Sequence, residues 1–178
     1  MVVVAGCDVV FGLHDVAPGA GGGLRDYTCP DSYTSDATGH HRAVTGASSW
    51  AQARIACVDD QGSDGTTGFT HLAVFEADNP DEGTEVWNEV QQLATQGSGR
   101  TIAFWVGSWS QGSDAPYAWV NGEDPPVSGE YPWRDATEPT ALGLCALVNF
   151  DAPGMQVYDC GLQTAFACEC DGLPDPLL

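Results

Sequence analysis

The stretch CALVNFDAPGMQVYDCGLQTAFACEC, residues 145–170, carries four of the chain's seven cysteines, and its reading governs the rest. Two short runs frame it. CALVNF (145–150) is apolar and β-prone, and LQTAFACE (162–169) places Leu162, Thr164, Phe166 and Cys168 on one face of a strand. Between them, GMQVYD reads as a loop enclosed by Cys145 and Cys160. Seven cysteines in 178 residues exceed the usual content of a reduced cytosolic protein, and their irregular spacing suits disulfides formed in an oxidising compartment. A zinc site would want short Cys-x2-Cys pairs or neighbouring histidines. The tightest pair here is Cys168-x-Cys170, and His40 and His41 are remote in sequence.

Working outward, the 178 residues suffice for one domain with its own core and a tail, but not for two. With 22 Gly, 11 Pro and only 17% charged residues, the composition points to a loop-rich fold with few long helices. The net charge is −20, from 25 acidic residues against five arginines (Arg25, Arg42, Arg54, Arg100, Arg134), and there is no lysine. Without a basic cluster, several phosphates cannot be neutralised at once, which excludes nucleic acid as a partner and disfavours anionic lipid.

The chain begins MVVVAGCDVVFG, too short an apolar run to span a membrane. Val4-Ala5-Gly6-Cys7 resembles the lipobox of bacterial lipoproteins, which makes Cys7 a candidate lipidation site and leaves six cysteines, an even number. APGAGGGL (17–24) has the composition of a flexible tether. The expected organisation is therefore an N-terminal tether over 1–26, a folded domain over 27–170 and a C-terminal tail over 171–178.

Within the domain, Ser49 is positioned to cap a helix in which Trp50, Ala53 and Cys57 recur on one face before Gly62. THLAVF (70–75) reads as a strand. In NPDEGTEVWNEVQQLATQG, Asn79 can cap, Pro80 suits the first helical position, and Val86, Val90, Leu93 and Ala94 form an apolar stripe. RTIAFWVGSW (100–109) reads as a strand with aromatic weight. Residues 110–144 lack periodicity and read as a long loop system in which Trp119, Tyr131 and Trp133 supply anchoring surface.

Taken in order, these elements resemble a C-type lectin-like domain. The motifs are Trp50 and Ala53 ahead of Cys57, HLAVFEA (71–77) for the Leu-Ala-x-Ile stretch, and Trp105-Val106-Gly107 for the Trp-Ile-Gly strand. Further on, AWVNGEDP (118–125) resembles the Trp-x-Asp-Gly hairpin, PWRDATEPT (132–140) the Trp-x-x-Gly-Glu-Pro-Asn loop, and Cys160-x7-Cys168-Glu169 the closing strand. The resemblance implies an α+β fold of two helices flanking small antiparallel sheets, with a long loop region and disulfide staples. It implies bridges Cys57–Cys168 and Cys145–Cys160. Since the family brings its chain ends together, the remaining Cys29 and Cys170 are expected to form a third. In the long form of the family the partner of Cys29 would fall near His40, where this sequence has no cysteine.

Calcium-dependent members hold the ion with a Glu-Pro-Asn or Gln-Pro-Asp motif, an acid before the third core cysteine and a Trp-Asn-Asp motif, and calcium wants six to eight oxygens. Here those positions read Glu138-Pro139-Thr140, Gly143 and Met155-Gln156-Val157. Only Glu138 keeps a carboxylate, with Thr140 and Gln156 as weak donors and Asp135, Asp151 or Asp159 as possible substitutes. No metal or other cofactor is expected, and if calcium binds, Glu138 holds it. Pro139 then keeps a backbone role, since the family's proline there is typically cis.

The resemblance thus implies an exported, non-catalytic recognition module, lipid-anchored in the cell envelope through Cys7 or extracellular. It would take a protein or glycan through Trp109, Tyr117, Trp133, Asp135, Glu138, Thr140 and Gln156, whereas Trp105 and Trp119 belong to the core. The alternatives are a calcium-dependent carbohydrate-binding lectin and a structural subunit of a cell-surface assembly. Hydrolysis finds no support, because no G-x-S-x-G elbow or H-E-x-x-H motif accompanies His14, His40, His41 and His71.

Overall fold

Ser49 opens the first helix as its sequence suggests. Its hydroxyl accepts the Gln52 N–H and the Gln52 side chain accepts the Ser49 N–H at 3.1 Å, a reciprocal capping box at the head of α1 (Trp50–Val58). Trp50, Ala53 and Cys57, one face of α1, are buried. Ser49→Ala is expected to cost about 1 kcal/mol, read as a shift of the urea midpoint at unchanged slope.

The computed structural model describes residues 28–35, 40–62, 65, 67–75, 80–98, 103–110, 117–122, 133–134, 143–149, 154–173 and 175. The second helix, α2 (Pro80–Ser98), buries Val86 and Val90 of its apolar stripe and lies against β2 (His40–Ser48). The remaining strands are β1 (Thr34–Ser35), β3 (His71–Leu72), β4 (Phe104–Ser110), β5 (Tyr117–Trp119), β6 (Cys145–Val148), β7 (Met155–Tyr158) and β8 (Thr164–Glu169).

These strands form one connected sheet rather than separate small antiparallel ones. Its order is β1-β2-β8-β4-β6-β7, with β3 added on β8 and β5 on β4. One pairing is parallel, Phe104 with Ala165 and Trp105 with Phe166, and it joins the half holding both ends of the domain to the half carrying the loops. The reason is chain path: β4 and β8 are separated by the whole loop system, so no hairpin constrains their direction. Two indoles pin this junction, Trp105 donating to the Ser48 carbonyl and Trp50 to that of Val106, each at 2.9 Å.

Three disulfides close the frame: Cys57–Cys168 from α1 to β8, Cys145–Cys160 across the end of the β6–β7 hairpin, and Cys29–Cys170 at the base. The stretch expected as a strand over 70–75 has ladder pairing only at His71 and Leu72, although Ala73, Val74 and Phe75 continue buried. Leu162, expected in the last strand on one face with Thr164, Phe166 and Cys168, precedes β8 and is 42% exposed.

Candidate functional site

GMQVYD is not a loop. Its residues Met155–Tyr158 make β7, which pairs in full antiparallel register with β6, Cys145 opposite Tyr158 and Val148 opposite Met155. Gly154 starts it with φ +108 directly beneath Arg134, whose Cα would stand 2.8 Å from any added Cβ. The Arg134 N–H then donates to the Met155 carbonyl at 3.1 Å, so the chain after Trp133 is stitched to the outer edge of β7.

Alternation along β7 sorts its side chains. Met155 is buried and Val157 packs against the core, whereas Gln156 is half-buried and Tyr158 is 40% exposed. Asn149, just past β6, reaches both polar groups: its Nδ2 donates to Gln156 Oε1 at 3.0 Å and to Tyr158 Oη at 3.4 Å. The Asn149 carbonyl accepts the Trp87 indole N–H at 3.2 Å, which ties the ladder to α2. Asn149 meets Gln156 and Tyr158 at their oxygens, so these two bonds use neither the Gln156 Nε2 hydrogens nor the Tyr158 hydroxyl hydrogen. The result is a row of two amides and one phenol, Asn149, Gln156 and Tyr158, on β7 and just past the end of β6.

Of the residues expected to face a ligand, Gln156 stands in this row. Tyr117 and Trp133 do not contact solvent: Tyr117 is 0% and Trp133 3% exposed, and their rings meet edge to face at 5.2 Å. Each such ring removes 150–250 Å² of largely apolar surface from water, a gain of several kcal/mol that favours the interior over display. Trp109 is half-buried, its ring 5.5 Å from that of Trp50 with the Arg54 guanidinium 6.0 Å away. Asp135, Glu138 and Thr140 lie outside the described residues, as does Cys7. Sequence reasoning missed Asn149 and Tyr158. Reading GMQVYD with a period of two would have placed Tyr158 beside Gln156.

The β7 positions do not fit calcium. Where the ion would need carboxylate or amide oxygens, Val157 offers methyl groups turned to the core, and Met155 is buried beside Trp133. Among the described residues no three His, Cys, Asp or Glu side chains are grouped to hold a metal.

The scarce cations are committed internally. Arg42 pairs with Asp60, which also accepts the Tyr33 hydroxyl at 2.7 Å. Burial, and then this hydrogen bond, hold the Tyr33 phenol protonated well above its ordinary range. Arg54 makes a two-pronged bond to Asp175, both contacts at 2.6 Å, and Arg134 also has a partner. Among the described residues no arginine stands free to meet a phosphate.

No protein-family model and no curated protein matches the sequence. Solved structures do. An EPNH mutant of CEL-I, a C-type lectin from Cucumaria echinata, aligns with TM-score 0.60 at 12% identity over 79% of this chain and 94% of its own. The C-type carbohydrate-recognition domain of cow CD23, solved in the presence of a GlcNAc2Man3 oligosaccharide, gives 0.57 at 16% identity over 80% and 95%. A calcium-independent type II antifreeze protein gives 0.57 at 18% over 82% and 96%. At these identities the likeness is one of fold, and the fold is C-type lectin-like.

Proposed function

We propose that this C-type lectin-like domain is an exported, non-catalytic recognition module that binds a glycan or protein ligand without calcium, through the edge formed by Asn149, Gln156 and Tyr158. The observation that carries the reading is the pair Gln156 and Tyr158 on β7, held at their oxygens by Asn149, with the Tyr158 ring 40% exposed. Such a ring with polar groups at its rim suits the C–H face and hydroxyls of a sugar, or the backbone and apolar side chain of a peptide. Val157 in a ligand position supports calcium independence. The same fold serves a carbohydrate-recognition domain and a calcium-independent antifreeze protein. Three disulfides support export to an oxidising compartment.

The test is an array of immobilised glycans and cell-surface proteins, probed with and without millimolar calcium. Binding is expected to be the same in both conditions and to weaken about 10- to 100-fold in the double variant Gln156→Ala, Tyr158→Ala. Calcium is expected to release no heat in calorimetry and to leave the melting temperature unmoved. Binding lost on chelation would return the calcium-dependent reading, with Glu138 as its ligand. Unchanged binding by the double variant would remove the β7 edge from the interface.

A further inference from the structure

The base of the sheet holds a group of buried ionisable side chains that ligand binding does not use. β8 runs between β2 and β3, and its Glu169 is in register with His41 on one side and His71 on the other. All three are buried. Directly opposed residues project from the same face of a sheet, so a carboxylate stands between two imidazoles. Glu169 Oε2 accepts the Val74 N–H at 2.9 Å.

His71 is the informative member. Its Nδ1 lies 2.8 Å from the Leu72 carbonyl oxygen and its Nε2 3.1 Å from Asp171 Oδ1. A neutral imidazole has one N–H and cannot donate to both, so one contact would set lone pair against lone pair; the imidazolium satisfies the two together. Burial opposes that charge. The hydrogen bond and charge of Asp171, the charge of Glu169 and the Leu72 carbonyl outweigh it, and the His71 pKa rises from 6.5 to about 9.

Asp171 begins the segment that leaves the sheet. Its Oδ1 also accepts the Leu173 N–H at 2.7 Å, across a turn where Gly172 has φ +81. On one side Cys170 is fixed by its disulfide and by its N–H to the His40 carbonyl. On the other, Asp175 is buried and gripped by Arg54. The disulfide does not titrate and arginine stays charged, so the His71 contact alone responds to pH near neutrality. Among the described residues, the other titratable side chains in register with it are Glu169 and, beyond that, His41. β4 carries none, and Arg54, the only charge on α1, is committed to Asp175.

We propose that His71 is a charge latch: as an imidazolium it holds residues 171–173 against β3, and its deprotonation lets that stretch open as a loop between Cys170 and Asp175. Because the folded value lies above the unfolded one, the latch contributes fully below about pH 6.5 and is lost as pH rises through about 9.

Ring-nitrogen NMR of the intact chain tests this. His71 is expected to be doubly protonated at about pH 7.5, and Asp171→Asn to lower its midpoint by about one to three pH units. Corrected for intrinsic exchange, protection of the Leu173 amide should fall about tenfold or more between about pH 7.5 and 9 in the wild type and level off above about pH 10, while that of Phe166 holds. A single neutral tautomer at pH 7.5, or an unchanged midpoint in Asp171→Asn, would overturn the latch. If that variant does not fold, the wild-type protonation state and Leu173 profile decide.

Discussion

Replacing both Cys57 and Cys168 with alanine is expected to lower the folding free energy by about 5 kcal/mol. The bridge spans 111 residues and joins α1 to the central strand β8, so its loss frees most of the domain in the unfolded state. Small domains have only about 5–15 kcal/mol in total. Both sulfurs are fully buried, so the alanines also leave a small void. Urea titration of the wild type and the double variant measures the difference. The Cys145–Cys160 bridge spans 15 residues and serves as an internal scale, with an expected loss of about 3 kcal/mol. Equal losses from both pairs would mean that loop length does not govern the effect.

Gly107→Ala is expected to cost about 3 kcal/mol or more. An added Cβ would meet the Leu72 carbonyl oxygen at 2.6 Å, Val120 Cγ2 at 2.6 Å and the Ala73 carbonyl oxygen at 3.3 Å. A valine methyl can rotate away, but the Leu72 carbonyl cannot. Its segment is pinned by the Ala73 N–H to the Ala167 carbonyl at 2.9 Å and by the Gly107 N–H to the Ala73 carbonyl at 2.8 Å. The clash therefore spreads into the three-way junction of β3, β4 and β8. Gly46→Ala is the control, since its Cβ would meet only Val44 Cγ1 at 3.9 Å and should be neutral or slightly stabilising. Thermal unfolding of the pair should separate by about 10 °C in a domain of this size.

What could be read from the residues was whatever they encode locally or by shared motif. The Ser49 cap, the Trp50-Ala53-Cys57 stripe and the Val86 and Val90 face declare themselves within one or two helical turns. Two cysteine pairs follow from the family's motifs and the third from the two cysteines left at the meeting chain ends, and they are the pairs the structure joins. What was hidden depends on partners distant in sequence. β2 has no clean alternation, because it is half covered along its length and bulges between Val44 and Ser48. β7 has only four residues, and its register comes from β6. Tyr117 and Trp133 fall in an aperiodic stretch of sequence, and their burial comes from pairing with β4, β7 and each other. Asp175 has no local signal at all, since its partner Arg54 lies 121 residues earlier.

The bridge between Cys29 and Cys170 also has a mechanical meaning. Tension applied to the chain before Cys29 and after Cys170 passes from one sulfur to the other and bypasses the 141-residue interval between them. A molecule anchored at one end and pulled at the other would first strain the contacts of Asp171 with His71 and of Asp175 with Arg54 and then lengthen only in its flanking segments, while the backbone between Cys29 and Cys170 stays unloaded. Reducing that one bond alone would load only residues 29–57 and 168–170, because the Cys57–Cys168 bridge then carries the tension, so single-molecule extension should show a long contour gain only after reductant has opened both bonds.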